Sequence, residues 1–394
     1  MALFSDYVTI GEIADVKGGK RLPKGTHIQN EPTAHPYIRV VDLTDYGVDR
    51  TNVKYISNST YERIKQYTIS SEDLYISIAG TIGRVGIVPK CLSGANLTEN
   101  AAKITNINKD FDIQFLLYCL RSPQGQAEIA SKIVGTSQPK LALFRIKEIK
   151  VPRIPLQTQR KIAAILSAYD DLIENNNRRI RILEEVAQLL YREWFVKFRF
   201  PGYERVRMVD SELGPIPEGW EVKKLGDVLE LAYGKALKKN ERRKGTIPVF
   251  GSSGVIGYHD EYLVKGPGII VGRKGNVGSV FWSNENFYPI DTVFYVITEL
   301  NLPYCYYALK EQNFINNDSA VPGLSRNQAY LNRIVVPTQE ILQKYNDHIN
   351  PIFSQLYLLD KKNLILRRTR DLLLPKLISG ELNVEDLDIA VGGD

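Results

Sequence analysis

The chain has 394 residues, 51 Lys and Arg against 45 Asp and Glu, and a net charge of +6 with 43% hydrophobic residues, enough for two or three globular cores. No apolar run reaches the length of a membrane helix, and the N-terminal stretch lacks the order of a signal peptide, so a soluble, cytoplasmic protein is expected. Three cysteines (Cys91, Cys119, Cys305) without a CxxC pair exclude a disulfide framework, and four scattered histidines offer no metal-ligand spacing, so no metal site is expected.

In chain order, residues 1–155 read as a first globular unit. Short apolar runs broken by glycine and polar turns (PYIRVVDL, DLYISIA, GIVPK) predict strands, and helical spacing appears mainly from Asp112 to Ile133. This is an α+β pattern. Residues 156–200 then form the stretch around which the rest is organised. Ile162, Leu166, Tyr169, Ile173, Ile180, Leu183, Ala187, Leu190 and Trp194 recur in heptad steps, with Asn176 alone interrupting the seam. A helix of some 40 residues is roughly 60 Å long, and one apolar stripe of that length needs a partner.

Residues 201–218 are rich in Pro and Gly and read as a linker. Residues 219–337 repeat the first unit's order of events. TIGEIADVKGGKRLPKG is echoed by KLGDVLELAYGKALKKN, and LYISIAGTIGRVG by GIIVGRKGNVGSV. FLLYCLRS is echoed by YCYYALKE, and the closing IKEIKVP by LNRIVVP. Residues 338–380 supply the second long helix, with Leu342, Tyr345, Ile349, Ile352, Leu356, Leu359, Leu366 and Leu373 on its seam. Asn363 and Arg370 are the polar seam positions, and Pro351 predicts a kink. Asn176 and Asn363 are the candidates for fixing register. Residues 381–394 read as an acidic tail. Four matches in one order identify a duplication, and antiparallel pairing of the helices would place one of two similar domains at each end of a rod, about an internal pseudo-two-fold.

The glycine loops, Gly80-Thr-Ile-Gly83-Arg-Val-Gly86 and Gly272-Arg-Lys-Gly275-Asn-Val-Gly278, each follow an apolar strand. A dinucleotide site needs a helix next, whereas these runs continue as strand, so hairpin turns are expected. No Walker-type lysine loop, HExxH, GxSxG or Cys/His cluster occurs, and no catalytic centre is recognisable. Basic residues instead recur at matching places. Lys17, Lys20, Arg21 and Lys24 surround Gly18-Gly19, and Lys235, Lys238, Lys239, Arg242, Arg243 and Lys244 follow Gly234. Arg84, Arg273 and Lys274 lie in the glycine loops. Gln138 and Lys140 (beside Thr136 and Ser137) and Ser325, Arg326 and Asn327 precede the closing strands. Lys and Arg neutralise phosphates, Arg, Asn, Gln and Ser read base edges, and glycine admits close backbone approach. These are the candidate DNA-binding residues. A phosphate-cradling enzyme and a coiled-coil protein-interaction scaffold without sequence-specific DNA reading are the alternatives.

Three stretches then carry a family resemblance. SELGPIPEGWEVKKLGDV resembles the opening of the second target-recognition domain of type I restriction–modification DNA specificity subunits. PLQTQRKIAAILSAYDDLIENNNRRIRILEEVAQLLYREWFVKF resembles their central conserved helix, and RDLLLPKLISGEL the end of the distal one. One departure is Pro155-Leu-Gln-Thr-Gln159, where the family often has Pro-Leu-x-Glu-Gln; the other is the lack of a Gly-Trp pair in the first domain. The resemblance implies a non-catalytic subunit in which each recognition domain reads half of a bipartite, asymmetric site in double-stranded DNA. It implies helices that set the unread spacer and dock two methyltransferase subunits, with restriction/translocase subunits as further partners. It implies no cofactor in this chain: S-adenosylmethionine, and ATP with Mg, belong to those partners.

Overall fold

The structure is a computed structural model that describes residues 4, 6–44, 47–135, 138–314 and 323–390. It is α+β and divides into two compact units, residues 1–175 with 363–394, and residues 176–362. Both long helices are continuous through this division: Leu156–Tyr191 and Gln339–Ile378.

The first unit begins and ends on one edge. Strand Tyr7–Thr9 pairs antiparallel with Lys150–Pro152, so the chain leaves the domain beside its own start and enters the long helix. An antiparallel sheet follows in the order Asp15–Gly18, Ala101–Thr105, Leu74–Ser77, Val85–Ile87. A second sheet, Lys54–Tyr55, Pro36–Ile38, Ala95–Leu97, Thr68–Ile69, contains one parallel pair, Pro36–Ile38 with Ala95–Leu97. The predicted helix from Asp112 to Ile133 is two helices, Ile113–Arg121 and Pro123–Ser131. Ser122 ends the first and caps the second, its Oγ accepting from Gly125 N–H, and the proline behind it prevents continuation.

The second unit repeats this plan. Glu221–Lys224 pairs antiparallel with Arg333–Val336. The main sheet runs Glu230–Tyr233, Val293–Ile297, Gly268–Gly272, Val280–Ser283, antiparallel throughout. The minor sheet again holds one parallel pair, Ile247–Gly251 with Tyr288–Pro289. Helix Leu302–Lys310 takes the place of Ile113–Arg121, capped by Asn301 as that helix is by Asp112. The linker is not devoid of structure: Met208–Val209 pairs with Ile216–Pro217.

Within each unit the two long helices run antiparallel. In the first, Ile162 and Leu166 share a core with Leu374, Leu377 and Ile378, while Asp170 pairs with Arg370. In the second, Trp194 lies against Tyr345 and His348, and Ala187 and Tyr191 share the core with Leu342, Ile349 and Phe353. No position of either predicted seam is exposed, whereas Leu172, Ile182, Leu189 and Ile365 off the seam are. Asn176 and Asn363 are buried at 7% and 3% exposure, each at the point where its helix changes unit. The helical assignment is unbroken through Pro351.

Gln159 welds the first helix to its domain. Its buried amide donates to the Asp110 and Ile154 carbonyls at 2.9 and 2.8 Å and accepts from Asp112 N–H at 2.9 Å. That residue is the glutamine of the departing Pro-Leu motif, and its side chain does the tethering. The helix is shorter than the predicted 156–200. A π turn at Arg192–Val196 follows Tyr191, and Phe198 has a left-handed φ of 58°, so the aromatic rings of Trp194, Phe195 and Phe200 turn into the second core with Trp220.

Candidate nucleic-acid interface

The two units repeat a pattern of backbone hydrogen bonds, which shows which candidates are equivalent. Gly19 N–H donates to Ala101 O and Lys20 N–H to Leu97 O at 2.8 Å; Gly234 N–H donates to Val293 O and Lys235 N–H to Pro289 O at 3.0 Å. Gly19 and Gly234 therefore occupy one place. A Cβ on either would stand under 3.0 Å from two backbone carbonyl oxygens, which is why only glycine fits. Lys20 and Lys235 follow, both exposed, at the end of equivalent strands. Lys24 and Lys239 are the second matched pair of exposed lysines, four residues further on.

The remaining basic candidates differ in freedom. Lys17 pairs with Asp15 at 3.6 Å, Arg21 with Glu99 at 2.8 Å and Lys238 with Glu241 at 3.9 Å, all on the surface. Such exposed pairs are weak and exchange readily for a phosphate. Lys20 Nζ stands 5.5 Å from the Tyr67 ring centre. Arg242 is turned onto the Ile256 carbonyl, and Arg243 is tied to Asp260 and Glu261 at 2.7 and 2.6 Å.

Both glycine loops are hairpin turns joining the third and fourth strands of their sheets, as the following strand required. Their register corrects the sequence alignment. Gly83 N–H meets Ser77 O and Gly278 N–H meets Gly272 O, so Gly80 and Gly83 match Gly275 and Gly278, all four with positive φ. Gly86 matches no loop glycine: it lies in strand Val85–Ile87 against Tyr75. Arg84 consequently corresponds to Ser279, not to Arg273. Its guanidinium donates to the Leu43 carbonyl at 2.6 Å and is half-buried, so it is a bracing residue of the first unit rather than a loop-tip cation. Arg273 corresponds to Ile78.

A further correction concerns the segments before the closing strands. Leu141 N–H donates to Ile78 O and Leu324 N–H to Arg273 O at 3.0 and 2.8 Å. Lys140 is thus the counterpart of Gly323, and Arg326 that of Leu143. Gln138 and Lys140 are exposed, while Thr136 and Ser137 lie outside the described residues. Ser325 caps helix Arg326–Leu331, accepting from Gln328 N–H at 3.5 Å; Asn327 is exposed and Lys274 bridges to Gly323.

These matches bring Arg273 and Arg326 together. Their guanidinium carbons lie 4.9 and 5.0 Å from the centre of one ring, Tyr233, which ends the first strand of the sheet and is 48% exposed. Arg273 also lies against Phe294 and donates to the Asp291 carbonyl at 3.1 Å. Tyr233 was not singled out in the sequence, because an aromatic at a strand end reads as core. The available signal was its place immediately before the tightly packed Gly234. In the first unit this place is taken by Gly18, Ile78 and Leu143, with Leu143 packed over Gly18.

The comparisons agree with this duplicated plan. The family model described as Type I restriction modification DNA specificity domain matches residues 5–185 and again 217–364. The chain is 30% identical over 388 residues to the Type I restriction enzyme MjaIX specificity subunit of Methanocaldococcus jannaschii, covering 89% of this chain and 88% of that one. It is 28% identical over 263 residues to the MjaVIII specificity subunit of the same organism, covering 65% and 52%. A crystal structure of a type I restriction–modification system S subunit from M. genitalium aligns at a TM-score of 0.61 and 20% identity over 94% of this chain and 95% of that one, which shows a shared fold. Two matches of one domain model and a full-length relative at this identity establish that the chain belongs to the type I restriction–modification DNA specificity family.

Proposed function

We propose that this chain is the DNA-recognition subunit of a type I restriction–modification complex, and that it is non-catalytic and acts in the cytoplasm. The observation that carries the reading is the repeated cradle. In a chain of this family, both units hold a glycine against carbonyl oxygens and project an exposed lysine from the same strand end. Each recognition domain would read one half of a bipartite site. Lysines at matched places would anchor phosphates on both halves alike, and the unmatched loop residues would read bases.

The paired helices are inferred to set the unread spacer, by analogy with paired modules on half-sites. Their exposed off-seam apolar residues, among them Leu172, Ile182, Val186 and Leu189, suit docking of two methyltransferase subunits. Those partners would bring S-adenosylmethionine, and restriction subunits ATP with Mg. The test is salt-dependent binding to duplex DNA by the chain assembled with its methyltransferase. Replacing Lys20 and Lys235 together by alanine should make the slope of log affinity against log salt shallower by roughly 2. An unchanged slope, or no preference for DNA over an acidic competitor, would favour a protein-interaction scaffold.

A further inference from the structure

The cation cluster on Tyr233 differs in kind from the matched lysines. Arg326 is half-buried, with its guanidinium against Tyr233 at 5.0 Å and Tyr330 at 5.9 Å. The Tyr330 ring is itself fixed, its hydroxyl accepting from Leu231 N–H at 2.9 Å. The backbone is fixed too, through Leu324 N–H on the Arg273 carbonyl and the Lys274–Gly323 bridge. Among the described residues Arg326 has no carboxylate or carbonyl partner; its Nε is buried within the chain, so the donors left for an outside acceptor are its two terminal amino groups. A guanidinium oriented by two rings and left without an acceptor is a donor fork prepared for something outside the chain.

Two acceptors in DNA fit such a fork: a phosphate, and the O6/N7 edge of guanine. The duplication chooses between them. A backbone anchor is needed on both half-sites and should recur, as Lys20 and Lys235 do. Arg326 does not recur, since Leu143 stands in its place, and its neighbours Tyr233 and Arg273 are Gly18 and Ile78 in the first unit. Residues that differ at one place in two copies of a reading domain are those that make the copies read differently.

We propose that Arg326 is a specificity-determining residue of the second domain that reads a guanine in the major groove, oriented by Tyr233 and Tyr330, and that the first domain reads its half-site without a counterpart. This rests on the DNA-recognition reading above. The experiment is selection from a randomised duplex pool by the chain assembled with its methyltransferase, for wild type, Arg326→Ala and Arg326→Lys. Wild type should enrich a two-part motif with an obligatory G·C pair in one half. Arg326→Ala should let that one position drift and Arg326→Lys, which keeps a donor but not the planar fork, should relax it only in part, both leaving the other half and the gap unchanged; that retained half also shows that the variant is folded. Placing 7-deazaguanine at the position should weaken wild type roughly tenfold and Arg326→Ala not at all. Arg326→Ala keeping the guanine, or losing affinity for every sequence alike as a phosphate contact would, overturns the proposal while leaving DNA recognition standing. Wild type enriching no motif would overturn both.

Discussion

Asp170 is the joint by which the long helices hold the first recognition domain, and its removal should open that unit alone. Its carboxylate takes the Tyr118 hydroxyl at 2.8 Å, lies 3.9 Å from Arg121, and pairs with Arg370, whose side chain is 6% exposed. Asp170→Ala takes one carboxylate away from Arg370, which also meets the exposed Asp371 carboxylate at 2.8 Å, and deprives Tyr118 of its acceptor. Removing one partner of a buried ion pair costs about 3–5 kcal/mol, and the 26% exposure of Asp170, with Asp371 still beside Arg370, argues for the lower end, about 3 kcal/mol. The cysteines provide a reporter for each unit. Cys91 is exposed, Cys119 is buried in the helix carrying Tyr118, and Cys305 is buried in the second unit. Burial raises the Cys119 thiol well above its ordinary pKa and pushes Cys305 up to about 12, so both stay protonated and unreactive in the folded chain at mildly alkaline pH. Thiol labelling followed by mass spectrometry should therefore show Cys91 modified at once in all proteins. In Asp170→Ala, Cys119 labelling should accelerate roughly 100-fold, with Cys305 unchanged. Less than about threefold acceleration at Cys119 would refute the joint. Equal acceleration at both buried thiols would show that the units do not open separately.

Further outcomes follow from other contacts. Gly234→Ala puts a methyl group onto the Ile290 and Pro289 carbonyls and should unfold the second unit, read as rapid labelling of Cys305; Gly19→Ala should do the same for Cys119. Arg273→Ala removes the guanidinium from Tyr233 and Phe294 and should relax the second half-site by ~1–3 kcal/mol while leaving the first intact, measured by competition between duplexes altered in either half. Adding one turn, about four residues, to each long helix beside Asn176 and Asn363 lengthens the pair by roughly 6 Å. The preferred gap should then grow by about two base pairs, at roughly 3.4 Å each, with both half-sites retained in the selected motif.

Much of the architecture was legible because it rests on periodicity and order. No predicted position of the heptad seam is exposed, and the Val-Pro strands that close both units pair with their opening strands, which is why each helix starts where it does. The fine register was not legible. Glycines were matched by spacing, but backbone hydrogen bonds set Gly80 against Gly275, which separates Arg84 from Arg273 and Lys140 from Arg326. Whether a loop arginine turns outward depends on its neighbours: Arg84 finds the Leu43 carbonyl, whereas Arg326 finds two tyrosine rings. No local pattern encodes that choice, because the partners are far away in sequence.

The most direct test of the central claim is a map of N6-methyladenine. The chain is co-expressed with its methyltransferase partner in a host that lacks adenine methylation, and modified sites are located by long-read sequencing. One asymmetric motif of two short half-sites around a gap of fixed length and free sequence is expected. Methylation at a single continuous motif, with no unread gap, would contradict two separately reading domains held by a helical spacer.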